Sequence, residues 1–580
     1  TIVIYICSGA VYGIIDAWRN KTSLAQELNQ LINSFKQNKF WALGTVVAFL
    51  WAAFQYCGCV FWYDFNTHDD YHAYFVFPHK MLQIGALGSD PFSERRLVSA
   101  LGGQSFLHTF ILSVLDERSL YLLDPGCALL VMIGLAIGYC QKKNLSKNST
   151  LMIVFGFLSL NLVRINITGV LIPACLFFSL FNVLECERLK ATNIPNNAAI
   201  VGLLAGAICA LKTTLIPACI ILFASSYLFY ILGTKKKQKA ISEFCLAAIL
   251  LAAFILPWSI SMYQSSGTLL YPIFGKGFHG SVYGGSVKLP NSEIPPDIAI
   301  KLRMYAILAI IYISAVLGIR FGLIGIRKKP IVREATLSIL ISTVAGTAII
   351  AFSTGASDVY RYAYSLLLVM FVVFILIFVE YIEKQNNLNF NFKKIAFSSA
   401  VFLSLLVARY SHGYNGFTEY KDFINSINRG LNNVPLVTPQ ERERYAKMLD
   451  SIPERAIVLT RLDKPFLLNF KQHTIWIADY PGGASLPPGM PSFKGEEALA
   501  NYLVSQSIRY VAYSYGNEAN FPRKYLEVRL LPNSPFWMRN QALNALEFQD
   551  NLQKLGETRK RIYDEGGNFV IDLLSSQKQQ

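Results

Sequence analysis

The sequence predicts a polytopic α-helical membrane protein of about twelve transmembrane helices followed by a soluble α/β domain on the outer face. Three observations carry that prediction. The 580 residues are 53% hydrophobic and only 16% charged, with a mean hydropathy of +0.36, whereas ordinary soluble domains are about a quarter charged. Apolar stretches long enough to cross roughly 30 Å of hydrocarbon at about 1.5 Å per residue recur as far as residue 410. After Tyr410 the composition turns into that of a soluble domain.

The expected spans are Ile2–Ile15, Phe40–Trp62, Asp124–Tyr139, Leu151–Arg164, Ile167–Leu184, Ala198–Leu211, Thr213–Leu232, Ile241–Pro257, Met304–Ile326, Ala335–Phe352, Ala363–Ile382 and Ile395–Ala408. The chain carries 53 Lys+Arg against 37 Asp+Glu. Basic clusters such as Lys142/Lys143/Lys147, Lys235–Lys239 and Arg327/Lys328/Lys329 fall on every second connection. That placement is the positive-inside pattern of a membrane protein and points away from nucleic acid as a partner. It assigns residues 63–123, residues 258–303 and everything after Tyr410 to the outer face. Three units follow: an extra N-terminal helix and cytoplasmic linker (1–39), a transmembrane domain with two long outer loops (40–410), and an extracytoplasmic α/β domain (411–580).

Within the first outer loop, Phe75–Leu82 and Gln104–Leu112 mix apolar and charged residues and read as amphipathic helices at the membrane interface. The second loop, rich in Gly, Pro, Ser and Tyr, reads as an irregular cover that orders over a cavity. In the soluble part, strands are expected at Ala456–Leu462, Thr474–Ala478, Arg509–Ser514 and Asn568–Leu573. Helices are expected at Pro439–Asp450, Gly495–Ser507 and Ser534–Leu555, the first with Thr438 as N-cap and Glu441 completing a capping box. All ten cysteines precede Leu246, so no disulfide framework is available to the soluble part. Cys57-Gly-Cys59 sits inside an apolar helix and reads as small packing residues rather than a zinc or redox pair.

The densest polar cluster is Asp64-Phe-Asn-Thr-His-Asp-Asp-Tyr-His72, where the Phe40–Trp62 helix leaves the membrane. Ionisable groups at membrane depth are costly and mark function. A carboxylate here can serve as general base toward an acceptor hydroxyl or amine, or ligate a divalent cation that holds a phosphate; helix capping is the plain structural alternative. His68, His72 and His79 do not match a known zinc spacing. Cations suited to a phosphate on the same face are His79, Lys80, Arg95, Arg96, Arg164, Lys212 and Arg361. The aromatics Tyr271, Tyr360 and Tyr362 suit either an interfacial belt or contacts to a sugar.

On these residues the chain resembles the GT-C superfamily of polyprenyl-phosphate-sugar-dependent glycosyltransferases, in particular bacterial relatives of protein mannosyltransferases and aminoarabinose–lipid A transferases. The matching features are His68-Asp-Asp-Tyr71 after the first core helix, Gly202–Thr213, Pro257-Trp258 with Leu270-Tyr-Pro272, and Tyr360-Arg-Tyr362 opening a late helix. The resemblance covers roughly residues 40–410. It implies a multi-pass protein of a bacterial plasma (inner) membrane, with Asp70 or Asp69 as catalytic base. It further implies that Arg361, beside the late tyrosine, helps hold the carrier phosphate; Lys212, His79, Lys80, Arg164, Tyr360, Tyr362 and Tyr271 are the substrate-binding candidates read from the residues themselves. The donor would be a polyprenyl-phosphate-linked sugar, and the acceptor a glycan, lipid or protein. Asp69 and Asp70 would hold Mg or Mn if the reaction uses a metal. Where some members carry a second acidic residue in the next outer turn, this chain reads Arg164-Ile-Asn166, and the Ile2–Ile15 helix has no counterpart in the core pattern. A transporter of lipid-linked saccharides and a non-catalytic membrane scaffold are the competing readings; the first calls for internal repeats and mid-helix charges, and the sequence displays neither.

Overall fold

In a computed structural model of the chain, the described residues are mainly 65–146, 167–185, 194–271, 334–353, 359–384 and 435–576, with short gaps. The expected spans Ile2–Ile15, Leu151–Arg164, Met304–Ile326 and Ile395–Ala408, and most of Phe40–Trp62, lie outside them. Among the described residues, five helices are long and apolar enough to cross a membrane: Glu117–Lys142, Ile194–Leu211, Thr213–Gly233, Lys237–Gln264 and Glu334–Ala351. Two shorter apolar helical segments, Leu171–Glu185 and Tyr362–Ile377, accompany them.

In chain order, α1 (Val76–Ile84), α2 (Glu94–Val98) and α3 (Gly103–Leu112) belong to the segment expected to be the first outer loop. The membrane helices are α4 (Leu129–Lys142), α5 (Leu171–Glu185), α6 (Ile194–Leu211), α7 (Ile216–Gly233), α8 (Lys237–Ser266), α9 (Glu334–Ser353) and α10 (Val359–Lys384). Helix α8 runs on past the expected span end at Pro257 to Ser266 and stops at Gly267, whose φ of 70° suits a left-handed cap. The Trp258–Gln264 stretch is helical, so the irregular backbone expected from Trp258 begins after Ser266. Close helix packing follows the small residues. A Cβ on Gly202 would lie 2.9 Å from the Ala247 carbonyl, and one on Gly206 would lie 2.8 Å from the Phe254 ring. Glycines four apart on α6 thus let α8 approach closely.

The two ends of the bundle carry different chemistry. At one end Lys143, just past α4, pairs with Glu185 of α5 at 2.6 Å and Glu380 of α10 at 3.4 Å, all three buried. At the other, Asp124 accepts backbone N–H bonds from Val170, Leu171 and Ile172 at 2.8–3.1 Å and so caps the N-terminus of α5. Helix polarity puts Lys212, at the C-terminal end of α6, on the Asp124 side.

The C-terminal domain is α/β. Strands β1 (Ile457–Arg461), β2 (Thr474–Ile477), β3 (Tyr510–Ser514), β4 (Arg559–Glu565) and β5 (Asn568–Ser576) form one sheet of order β2-β1-β3-β5-β4. The first three run parallel, and β5 joins β3 antiparallel. Helix α11 (Pro439–Asp450) begins at the expected capping box. Helices α12 (Glu496–Ser505) and α14 (Phe536–Thr558) cover one face through Leu499, Leu503, Phe548, Leu552 and Leu555 against Leu459, Val511 and Ile571. A short α13 (Arg523–Arg529) precedes α14.

The opposite sheet face is not free. Val458, Ile475, Ile477, Ala512 and Val570 share one core with Tyr445 and Met448 of α11 and with Phe75, Val76, Phe77, Leu120 and Tyr121 of the first outer loop. Phe466 lies edge-on to Phe75 at 5.0 Å, joining the two parts. The C-terminal sheet domain and the 65–123 segment therefore fold as one apolar unit, and the polar cluster is built at their seam.

Candidate functional site

Asn66 starts the helical turn that carries the acidic motif. Its side-chain oxygen accepts the N–H groups of His68 (3.0 Å) and Asp69 (3.2 Å), and its carbonyl accepts the Asp70 N–H at 2.7 Å. The next five residues, Asp70–Tyr74, are wound as a π-turn, with Phe75 N–H reaching the Asp70 carbonyl at 2.8 Å. Such widened turns are rare and recur at functional sites. Here the turn sends Asp69 and Asp70 to different surroundings.

Asp70 is fully buried, and its two oxygens accept the backbone N–H groups of Asn66 (2.8 Å) and Ile167 (2.9 Å). It thereby fastens the first outer loop to the connection that enters α5. Lys212 grips the same connection by donating to the Thr168 hydroxyl, and its ammonium lies 5.7 Å from the Tyr74 ring centroid. Asp70, Lys212 and Asp124 thus converge on residues 167–172 from three elements.

Asp69 faces the outer domain. Arg95 of α2 reaches its Oδ1 through both Nη2 (2.7 Å) and Nε (3.1 Å). The same guanidinium bonds the Tyr480 hydroxyl at 2.7 Å, stacks 4.2 Å from the Tyr480 ring and lies 3.6 Å from Asp479. Burial alone would lower the Arg95 pKa, but Tyr480, Asp69 and Asp479 outweigh it and raise it, so the residue is a permanent cation. Asp479, just past β2, accepts from the Ser93 hydroxyl (2.7 Å) and from the N–H groups of Glu94 and Arg95 (both 2.9 Å). It caps α2 from the other domain.

Beside this pair lies a cleft lined by His68, His72, Arg95, Arg461, Asp463, Asp479, Tyr513, Ser514 and Gln549. Burial, reinforced by Arg95, pushes His68 down to about 4 and His72 well below the usual imidazole value, so both are neutral at physiological pH.

The remaining expected site residues are distributed as follows. His79 pairs with Glu117 at 3.1 Å and Lys80 with Asp90 at 3.6 Å, while Asp90 accepts the Ile477 N–H. Each side chain is held by a carboxylate of its own loop, and those carboxylates carry the contact on to Ile477 and Arg442 of the sheet domain. Tyr271 is fully buried and donates to Glu94 at 2.8 Å, which tethers the start of the second loop beneath α2. Tyr362 packs half-buried against the helical core. Tyr360 and Arg361 occupy the first turn of α10, but their side chains, and the whole of Arg164, lie outside the described residues. The sequence reading named Arg95 only among several outer cations and missed Asp479, Tyr480 and Arg461. The available signal was position: each of the three sits at or just past the carboxyl end of a β-rich apolar run.

Asp69 and Asp70 point to different partners. Asp70 faces two backbone N–H donors and Asp69 a guanidinium, all of which a cation would have to displace. Among the described residues no three His, Cys, Asp or Glu side chains gather as metal ligands.

No family model matches the chain, and neither does any curated protein. Solved structures do resemble it. ArnT from Cupriavidus metallidurans bound to undecaprenyl phosphate aligns over 93% of this chain and 98% of its own, at 10% identity and a TM-score of 0.43. The arabinofuranosyltransferase AftD from Mycobacteria aligns over 83% of this chain at 13% identity and a TM-score of 0.44, and the match spans 35% of AftD. The oligosaccharyltransferase AglB from Archaeoglobus fulgidus, in complex with an inhibitory peptide and a dolichol-phosphate, aligns over 94% of this chain and 75% of its own, at 12% identity and a TM-score of 0.36.

Proposed function

We propose that this chain is an integral membrane glycosyltransferase that moves a hexosyl or pentosyl group from a polyprenyl-phosphate or -diphosphate carrier to an acceptor on the outer face. The observation that carries the reading is the division of labour in Asp69-Asp70. One carboxylate is locked into the backbone between two outer segments. The other is presented beside a cleft at the seam of the outer loop and the outer domain, where the membrane helices end.

Asp69 is the general base in this account. An acceptor hydroxyl or amine attacks the anomeric carbon, its proton passes to Asp69, and the carbon–oxygen bond to the carrier phosphate breaks, leaving the phosphate with the bonding electrons. Arg95 orients Asp69 and keeps it ionised. The leaving phosphate gains negative charge, which Lys212, at the outer end of α6, and Arg361, at the start of α10, are positioned along the chain to meet. Asp70 positions this machinery by holding the Ile167–Thr168 segment under Lys212.

The transporter reading draws less support, because described buried charges such as Lys143, Glu185 and Glu380 sit near helix ends rather than midway along spans. Mass spectrometry of lipid-linked sugars and glycans from cells carrying wild-type or Asp69→Asn protein tests the proposal. Accumulation of the lipid-linked donor and loss of the glycosylated acceptor in the variant are expected. Identical profiles contradict it.

A further inference from the structure

The cleft beside Asp69 has a property that a general base does not require. Its wall contains Arg461, the last residue of β1, which is only 6% exposed. Arg461 Nη1 donates to the carbonyls of Ala478 (3.2 Å) and Asp479 (2.8 Å), and those are its only bonds among the described residues. No described carboxylate forms an ion pair with it, and its Nε and Nη2 are not sealed against protein. A buried guanidinium holding two carbonyls and no ion-pair partner is expensive, and natural proteins rarely keep one without a counter-charge.

The position in the sheet is equally informative. The chain passes from β1 to β2 on one side of the sheet and then to β3 on the other, so the three parallel strands diverge at β1. The cleft is formed where they end: Arg461-Leu462-Asp463 after β1, Asp479 after β2 and Tyr513-Ser514 at the end of β3. In open parallel sheets this crevice, outside the carboxyl ends of strands that part company, is where ligands bind. His68, His72 and Arg95 close it from the outer loop.

We propose that this crevice is an oxyanion-binding site that takes a phosphate group, with Arg461 as its principal donor. Arg461 offers Nε and Nη2, Arg95 contributes a second fixed positive charge, and the Tyr513 hydroxyl adds an uncharged donor, whereas the Ser514 hydroxyl is committed to Asn568 and the His72 N–H to the Thr67 carbonyl. Two carboxylates face the same space: Asp479, saturated by Ser93, Glu94, Arg95 and Tyr480, and Asp463, which forms the negative wall. The enclosed part is only about 10 Å³, roughly one water, within about 320 Å³ of empty space that includes its mouth. The site therefore suits a single terminal phosphate entering from the mouth, either free or on a lipid headgroup. It lies on the sheet rather than among the helix ends assigned to the leaving carrier phosphate, and its occupancy is measured without any sugar transfer.

The test uses the purified full chain in lipid nanodiscs and inorganic phosphate as the probe, read by the thermal midpoint and by phosphate binding. Phosphate at millimolar concentration should raise the wild-type midpoint. Arg461→Gln should weaken binding about tenfold or more, and Tyr513→Phe, which keeps ring volume and packing, should weaken it by a smaller factor should the first variant fold poorly. Nanodiscs containing polyprenyl phosphate compete with inorganic phosphate if the natural group is carried on lipid, and leave its binding unchanged if it is free; both results support the site. A wild-type midpoint indifferent to phosphate, or equal binding by wild type and Tyr513→Phe together with Arg461→Gln, overturns it.

Discussion

The Asp69 carboxylate and the Arg95 guanidinium, 26 positions apart in sequence, meet at 2.7 Å, and Arg95 carries the contact on to Tyr480 of the outer domain. One side chain thus joins the acidic motif of the membrane domain to the sheet domain. The geometry makes the C-terminal sheet domain a wall of the candidate site rather than an appendage, and the consequences differ for the two neighbouring carboxylates.

Asp70→Asn should be chiefly a stability variant. An amide replacing the carboxylate turns an –NH₂ donor toward either the Asn66 or the Ile167 N–H, both of which now meet an acceptor. A buried donor left unmet costs about 1–3 kcal/mol. The thermal midpoint of the purified protein should fall, and an unchanged midpoint would show that the clamp does not hold the 167–172 segment.

Asp479→Ala removes the cap of α2 and one partner of Arg95 together. Breaking a buried ion pair by deleting one partner costs about 3–5 kcal/mol. Limited proteolysis between the membrane and outer domains should accelerate, while Glu496→Ala on the exposed start of α12 should leave the digestion pattern as in wild type.

Acid should loosen this seam. Burial depresses His68 to about 4 and His72 well below the usual imidazole value, whereas an unfolded histidine titrates near 6.5. Between those values the unfolded chain binds more protons, so stability is full above about pH 6.5 and falls as the pH drops toward about 4. Asp90, pushed up to about 6 by burial against the opposing pull of Lys80, works in the other direction over part of that window, its contribution falling as the pH rises from about 4 to 6. Two histidines outweigh one aspartate. The double variant His68→Asn/His72→Asn should therefore lose most of the acid destabilisation seen in wild-type melting curves between pH 6.5 and 4; an equally steep decline in the variant would assign it elsewhere.

Topology is testable directly. A cysteine placed in the Lys235–Lys239 turn should be protected from a membrane-impermeant thiol reagent in intact cells, and one at the exposed Lys494 should be labelled. The reverse pattern would move the candidate site to the cytoplasmic face.

The elements most legible in the sequence were those with strong local signals. The capping box at Thr438/Glu441 set the start of α11 to the residue, and the β-branched runs set β1, β2, β3 and β5. Strand β4 was missed because Arg-Lys-Arg-Ile-Tyr-Asp-Glu has one aliphatic residue and lies on an edge, mostly half-exposed, so its pairing with β5 through the Gly566-Gly567 turn defines it rather than its own pattern. The α8 overrun past Pro257 escaped notice because composition marks where apolarity ends, not where helical hydrogen bonding ends. Within the site, the acidic motif stood out as a polar island in an apolar chain. Which of its two aspartates is clamped could not be read there, because the deciding partners, Ile167 and Arg95, are 97 and 26 residues away. Arg461 was invisible for the same reason: its isolation is a property of the folded crevice.

The most direct measurement of the central claim is the release of sugar-free polyprenyl phosphate from extracted lipid-linked sugars by the purified protein supplied with the acceptor fraction of the same cells. Wild-type protein should release it, and Asp69→Asn, assayed below its own melting midpoint, should do so about 10²–10⁴ times more slowly, the usual contribution of a positioned acid–base group. Equal release by the two proteins would contradict the assignment of Asp69 as base, and no release by either under conditions that preserve the fold would contradict glycosyl transfer itself.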